Sequence, residues 1–196
     1  MRVRPLVLLD VDGVLNALRS PPDPAVWSDW RTGEAQAAGR TWPLRWSPSV
    51  VAGVRRWTEL ADVQWLTTWG HAANAGLAAL LGLPQLPVAG THDAPPPVVT
   101  AHADPDADAL AEVTPAAPDP LSGRWWKFDV VRALLADGPR PLVWVDDDLA
   151  GDADVRAWVR GHSRCLLVAP HPLAGLTAPE LAAVQRFLVE NGSHSQ

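Results

Sequence analysis

Three short apolar segments of the sequence each end in polar residues that can take part in chemistry. The segments are residues 3–9, 63–66 and 142–145, and the residues that follow them are Asp10 and Asp12, Thr67 and Thr68, and Asp146 and Asp147. Near-continuous apolar runs of this length are typical of strands that are buried on both faces. Because the carboxyl ends of parallel strands meet at one edge of a sheet, we expect these three polar clusters to lie together.

The segments between these strands predict helices, so that strands and helices alternate along the chain. Helices are predicted at about 48–60, 71–81, 125–136, 152–160 and 177–189, and further strands at 86–89 and 165–168. Ser47 before Pro48 is an N-cap signal, and Thr177 three residues before Glu180 is a capping box. The pattern predicts an α/β fold, a Rossmann-like three-layer sandwich with a mainly parallel five-stranded sheet.

The length of 196 residues, 47% of them hydrophobic, favours a single domain over residues 1–190. Two irregular inserts interrupt it. Residues 16–46 contain prolines and scattered tryptophans and are interpreted as a flap or short hairpin over the site, and residues 90–123 are interpreted as a Pro-rich loop. Residues 191–196 are expected to be a disordered tail.

The composition excludes several classes of partner and compartment. A formal charge of -6 argues against broad nucleic-acid binding, and no apolar span is long enough for a membrane. The single cysteine, Cys165, lies in an apolar run and is interpreted as a core thiol in a reducing compartment. No signal peptide is recognised, and we expect a soluble, cytoplasmic protein with no membrane contact and no obligate protein partner.

The aspartates, threonine and lysine expected at this edge of the sheet are residue types that phosphoryl transfer uses. Four aspartates that converge there would repel one another strongly without a cation. An oxygen-only ligand set favours Mg²⁺, with a substrate phosphate completing its coordination. A lysine and a threonine near the carboxylates would hold the phosphoryl group. Lys127 is the only lysine among the 16 lysines and arginines of the chain, which makes it the candidate.

The sequence Asp10-Val11-Asp12-Gly13-Val14 resembles the first motif of the haloacid dehalogenase (HAD) superfamily of hydrolases. The resemblance implies that Asp10 is a nucleophile that forms an aspartyl-phosphate. It implies that Asp12 is the acid/base, with a backbone carbonyl that also binds Mg²⁺.

The other three motifs of the superfamily follow in order. Leu66-Thr67 resembles the second motif, which implies that Thr67 binds phosphoryl oxygens, with Thr68 as the rival register. Lys127 matches the third motif, a lysine that neutralises the nucleophile and the phosphate. Asp146-Asp147 resembles the fourth motif, which implies direct Mg²⁺ ligation by Asp147 and direct or water-mediated ligation by Asp146. Asp148 and Asp152 offer a competing register, although Asp152 is also a candidate N-cap.

More narrowly, the chain is similar to the HAD domains associated with Swiss Army knife RNA repair proteins. The segments that carry this resemblance are residues 10–16, 65–74, 81–84, 141–148 and 175–177. His71 and Asn74 lie one helical turn apart and either face the substrate or fix the start of a helix; with Gly13 and Thr68 they are candidate substrate contacts. Neither insert is large enough for the cap domain of many HAD phosphatases, which implies access for a bulky substrate.

The sequence therefore predicts a Mg²⁺-dependent phosphatase that acts through Asp10 on a phosphorylated small molecule, a nucleotide or a nucleic-acid end. The alternative is a non-catalytic binding module that retains the HAD scaffold and its metal site.

Overall fold

The computed structural model describes residues 4–37, 39–92 and 125–192. The strands are β1 (Leu6–Leu9), β2 (Arg31–Ala37), β3 (Arg40–Trp46), β4 (Asp62–Trp65), β5 (Leu142–Val145) and β6 (Cys165–Val168). The α-helices are α1 (Pro48–Leu60), α2 (Ala79–Leu81), α3 (Trp126–Ala136), α4 (Ala153–His162) and α5 (Ala178–Gly192). A π-helical segment, Ala73–Ala78, precedes α2, and a 3₁₀ helix spans Asp147–Gly151.

The central sheet is parallel, with the strand order β4-β1-β5-β6. Leu9 at the end of β1 pairs with Trp65 of β4 and with Val145 of β5, so the three strands end level with one another. The residues that follow these ends, Asp10 and Asp146 among them, therefore reach the same edge of the sheet.

Alternate side chains of β1 enter two separate cores, one on each face of the sheet. Val7 and Leu9 pack in a core formed with α1 and α5, whereas Leu6 and Leu8 pack with α3 and α4. The α/β three-layer prediction is confirmed.

The sheet has four strands in the described part of the chain, rather than the five predicted. The predicted strand at 86–89 makes only an isolated bridge between Val88 and Trp65. The Trp65 N–H donates to the Pro87 carbonyl at 2.8 Å, and the Ala89 N–H donates to the Trp65 carbonyl at 2.8 Å. Proline supplies no N–H to a ladder, so pairing ends after this single bridge.

The predicted flap contains an antiparallel hairpin, formed by β2 and β3. Its Ala35 and Leu44 side chains are buried in the core on the α1 side. The Arg45 backbone joins the hairpin to the chain that leaves β1, because its N–H donates to Asn16 Oδ1 and its carbonyl accepts from the Ala17 N–H, both at 2.9 Å. The hairpin is therefore attached directly beside the polar edge of the sheet.

Helix boundaries follow the predicted capping signals. Ser47 Oγ accepts the N–H groups of Ser49 and Val50 at the start of α1, and Glu180 accepts the Thr177 N–H before α5. The predicted helix at 71–81 is partly π-helical and closes at Gly82, whose φ of 68° is left-handed.

Helix α5 runs to Gly192, three residues past the predicted end, so the expectation of a disordered tail is wrong for residues 191 and 192. The Asn191 side chain donates to the Phe187 carbonyl and continues the last turn. Residues 93–123 of the predicted loop and residues 193–196 lie outside the described residues. Among those described, no helix is both long and apolar enough to cross a membrane.

Candidate active site

Asp10 is the first residue after β1 and is almost completely buried. Its Oδ1 accepts a hydrogen bond from the Val11 N–H at 2.7 Å, and its Oδ2 accepts one from Lys127 Nζ at 2.6 Å. The carboxylate is therefore fixed by one backbone donor and one cation.

Lys127 lies in the first turn of α3 and is 3% exposed. Its ammonium also donates to Asp146 Oδ2 at 2.8 Å, so it lies between the carboxylates that follow β1 and β5. Trp125 flanks the ammonium, with a ring centroid 5.7 Å from Nζ, and stacks on Trp144 at 5.0 Å. Trp144 Nε1 in turn donates to Asp146 Oδ2 at 3.3 Å. Trp125 and Trp144 therefore cover the ion pair on the α3 side.

Two carboxylates share one ammonium here, which leaves an excess of negative charge. Burial raises the pKa of Asp10 above its ordinary value, against the opposing effects of Lys127 and the Val11 N–H. Burial and the Asp10 charge raise the pKa of Asp146 to about 7. For Lys127, burial alone would lower the pKa, but the two carboxylates outweigh it and raise that pKa. A further cation or a bound proton would therefore stabilise the cluster.

Asp147 completes a group of three carboxylates. One oxygen each of Asp10, Asp146 and Asp147 lies within 4.8 Å of the others. Burial and the charges of Asp148 and Asp10 raise the pKa of Asp147 to about 6. Gly13 makes room for this carboxylate, since a Cβ at Gly13 would lie 2.4 Å from Asp147 Cγ. All three ligand atoms are oxygens, the type that hard divalent cations prefer.

Asp12 points to different partners. Its Oδ1 accepts from Asn16 Nδ2 at 2.7 Å, and its Oδ2 accepts from Trp69 Nε1 at 2.9 Å. Sequence reasoning missed the contribution of Asn16 and Trp69. Both lie within the segments that carried the family resemblance, but nothing local indicated that their side chains meet Asp12.

The structure distinguishes the two candidate threonines after β4. Thr67 is fully buried beside Asp10, and its hydroxyl is among the groups that favour the ionised form of Asp10, whereas Thr68 is exposed. Of the candidate substrate contacts, His71 is exposed. The Asn74 amide is engaged by the Leu86 backbone and by Trp65 Nε1, so it fixes the loop after α2.

The two residues of the competing register for the fourth motif lie outside the group of three carboxylates. Asp152 Oδ1 accepts the Val155 N–H at 3.1 Å and caps α4, as its alternative interpretation predicted. Asp148 is exposed and is not part of the group of three carboxylates.

Comparison with known proteins identifies the family. A family model described as "HAD domain in Swiss Army Knife RNA repair proteins" matches residues 6–181. The chain belongs to this HAD family. No curated protein and no solved structure matches the chain.

Membership indicates that the domain is a hydrolase of the HAD superfamily. Its acidic cluster is compatible with the metal dependence that is usual in the superfamily. The matched residues include every strand of the parallel sheet and all of the site described above.

Proposed function

We propose that this HAD domain is a Mg²⁺-dependent phosphatase that acts through an aspartyl-phosphate on Asp10. The observation that supports it most is the buried contact of 2.6 Å between Asp10 and Lys127. Because the lysine neutralises charge at the nucleophile, a negatively charged phosphoryl group can approach an otherwise repulsive carboxylate.

In this mechanism an Asp10 carboxylate oxygen attacks phosphorus and forms a new O–P bond, while the bond from phosphorus to the alcohol oxygen breaks. Asp12 delivers a proton to the departing oxygen. Asp12 then removes a proton from a water molecule, which attacks phosphorus, releases inorganic phosphate and regenerates the Asp10 carboxylate. Thr67 donates its hydroxyl to a phosphoryl oxygen throughout.

The residues present fit a magnesium ion, because oxygens of Asp10, Asp146 and Asp147 lie within 4.8 Å of one another and Asp10 and Asp146 share a single ammonium. Asp146 already accepts hydrogen bonds at both oxygens, from Lys127 and from the Asp148 N–H. Asp10 likewise accepts at both oxygens, from the Val11 N–H and from Lys127, so hydrogen bonding does not rank the two carboxylates. In line with the family resemblance, we assign direct ligation to Asp10 and Asp147, together with the Asp12 carbonyl, and a direct or water-mediated contact to Asp146. Bound Mg²⁺ would supply Lewis-acid neutralisation of the phosphoryl charge.

We further propose a nucleotide or a nucleic-acid end as the substrate, in the cytoplasm, with no membrane contact and no obligate protein partner. The support is the description of the family, which is that of RNA repair proteins. Mononucleotides and oligonucleotides phosphorylated at the 3′ or the 5′ end would rank these substrates by kcat/KM. His71 and Thr68, both exposed beside the site, are the proposed contacts to the rest of such a substrate.

The central test is the release of phosphate from p-nitrophenyl phosphate with and without Mg²⁺. Asp10→Asn should lower kcat by about 10³-fold or more, because the amide cannot form the intermediate. Asp62→Asn, at the opposite edge of the sheet, is the matched control and should retain activity. If the purified wild type released no phosphate from any ester in the presence of Mg²⁺, the phosphatase proposal would fail in favour of a binding module.

A further inference from the structure

The carboxylate of Asp12 is held at both oxygens by side-chain N–H groups. Asn16 Nδ2 donates at 2.7 Å and Trp69 Nε1 donates at 2.9 Å. Both donors are rigidly placed, since Asn16 is 5% exposed and Trp69 is 8% exposed. A carboxylate with one donor on each oxygen cannot rotate about its terminal bond without breaking a hydrogen bond.

Each donor is itself tied to another part of the site. The backbone N–H of Trp69 donates to Thr67 Oγ1 at 3.3 Å, so one residue contacts both Thr67 and Asp12. Asn16 Oδ1 accepts the Arg45 N–H at 2.9 Å, which connects Asp12 to the β2–β3 hairpin. The orientation of Asp12 is therefore set jointly by the segment after β4 and by the hairpin.

The donors to Asp12 differ in kind from those to Asp10. Asp10 is paired with an ammonium, which favours a carboxylate over a carboxylic acid. Asn16 and Trp69 are neutral, and a neutral N–H binds an oxygen of either form. One lone pair on each oxygen also stays available, because a carboxyl oxygen has two. This arrangement holds the geometry of Asp12 while leaving a position for a proton.

We propose that Trp69 and Asn16 are positioning residues that aim Asp12 at the leaving-group oxygen, so that proton transfer depends on them. The inference rests on the phosphatase function proposed above. It predicts that losing either donor lowers kcat/KM for esters whose leaving group needs a proton and spares kcat/KM for esters whose leaving group does not. Hydrolysis of the intermediate also uses Asp12, but it follows phosphoryl transfer and does not enter kcat/KM.

The test compares kcat/KM for phosphate esters with good and poor leaving groups. Trp69→Phe keeps the aromatic ring and removes the N–H. We expect less than about a 3-fold loss with p-nitrophenyl phosphate, whose leaving group departs as an anion. We expect a 10- to 100-fold loss with an alkyl phosphate, since a positioned general acid contributes about 10²- to 10⁴-fold. Asn16→Ala should produce the same difference between the two esters.

Trp27→Phe is the matched control, because the Trp27 indole also donates a hydrogen bond, to the Leu176 carbonyl at 2.8 Å. It should leave the ratio between the two esters unchanged. Thermal unfolding of all three variants separates folding defects from catalytic ones.

An equal loss on both esters, or no loss on either, in Trp69→Phe and Asn16→Ala would overturn the positioning role while leaving the phosphatase function intact. Lack of turnover by the wild type is a separate result, visible before any variant is made. It would overturn the proposed function and this inference together.

Discussion

At the carboxyl edge of the central sheet one lysine lies between two carboxylates, whereas at the opposite edge one carboxylate lies between two arginines. Asp62 forms an ion pair with Arg4, whose Nε lies 3.3 Å from its carboxylate, and accepts a hydrogen bond from Arg140 Nη2 at 2.8 Å. Its side chain is 46% exposed, and that of Arg4 is 53% exposed. Asp62 is the first residue of β4, and Arg4 and Arg140 lie just before β1 and β5.

The contact distances at the two edges are similar, so distance does not distinguish them. At the carboxyl edge the side chains of Lys127, Asp10 and Asp146 are 3%, 8% and 0% exposed. A buried charge that loses its partner cannot be solvated, and breaking such a pair costs about 3–5 kcal/mol, against about 0–1 kcal/mol for a surface pair. Burial therefore makes the charges at the carboxyl edge interact strongly, whereas those at the opposite edge are partly screened by water.

The largest difference between the edges should come from Lys127→Met. It leaves Asp10 and Asp146 facing each other in the core, so we expect the free energy of unfolding at neutral pH to fall by about 3–5 kcal/mol. Urea denaturation measures this loss. The double variant Lys127→Met/Asp146→Asn removes one of the repelling charges and should recover part of it. A loss below about 1 kcal/mol would mean that the buried ion pairs of Lys127 stabilise the fold no more than a surface ion pair does.

The second largest difference between the edges should be in how the free energy of unfolding depends on pH. In the metal-free protein the pKa of Asp146 is raised to about 7 from an ordinary value of 3.8, so the folded state keeps a proton that the unfolded state has lost. The free energy of unfolding should therefore fall as the pH rises from about 4 to about 7, by an amount on the order of a few kcal/mol.

Denaturation at several pH values checks this slope. Asp146→Asn should reduce this slope, with Asp10 and Asp147, whose pKa values are also raised, accounting for the rest, and Asp62→Asn should preserve it. Mg²⁺ should raise Tm more at the upper end of the range, where protons no longer compete for the carboxylates. A Tm that does not respond to Mg²⁺ at any pH would argue against a metal at this edge.

Gly13→Ala should have a smaller effect that is specific to the carboxyl edge. Gly13 has a φ of 71°, and an added Cβ would also collide with the Asp147 carboxylate. We expect a loss of about 1–2 kcal/mol in stability, together with weaker Mg²⁺ binding by calorimetry.

Gly39→Ala is the control, because Gly39 has the same φ of 71° with no atom within 4 Å of the added Cβ. It should reproduce the backbone cost alone. If both variants bound Mg²⁺ like the wild type, the idea that Gly13 makes room for Asp147 at a metal site would be refuted.

The smallest effect should come from the opposite edge. Asp62→Asn removes the charge between Arg4 and Arg140, and the free energy of unfolding should change by less than about 1 kcal/mol because Asp62 is 46% exposed and water screens its charge. Added salt should shrink even this change. A loss comparable to that of Lys127→Met would show that the two edges do not differ as their burial indicates.

The sequence by itself determined the positions of the parallel strands and the edge at which the site lies. Runs of apolar residues and the polar residues that end them are local properties, and parallel pairing places those ends together whatever the side chains do. The same reasoning brought Asp10 and Asp146 to one edge, whereas Lys127, the only lysine of the chain, was assigned to the site through the resemblance to the HAD motifs. The prediction of a strand at residues 86–89 was wrong. A short segment becomes a strand only if its own backbone N–H groups can bond to the neighbouring strand, and Pro87 has none.

Only the tertiary structure decided how the individual side chains are used. Asn74 binds the Leu86 backbone instead of facing an open site, a choice that the sequence left open. The contact between Trp69 and Asp12 joins residues 57 positions apart in the chain. Such contacts depend on the packing of separate segments and on side-chain rotamers, which no local pattern encodes.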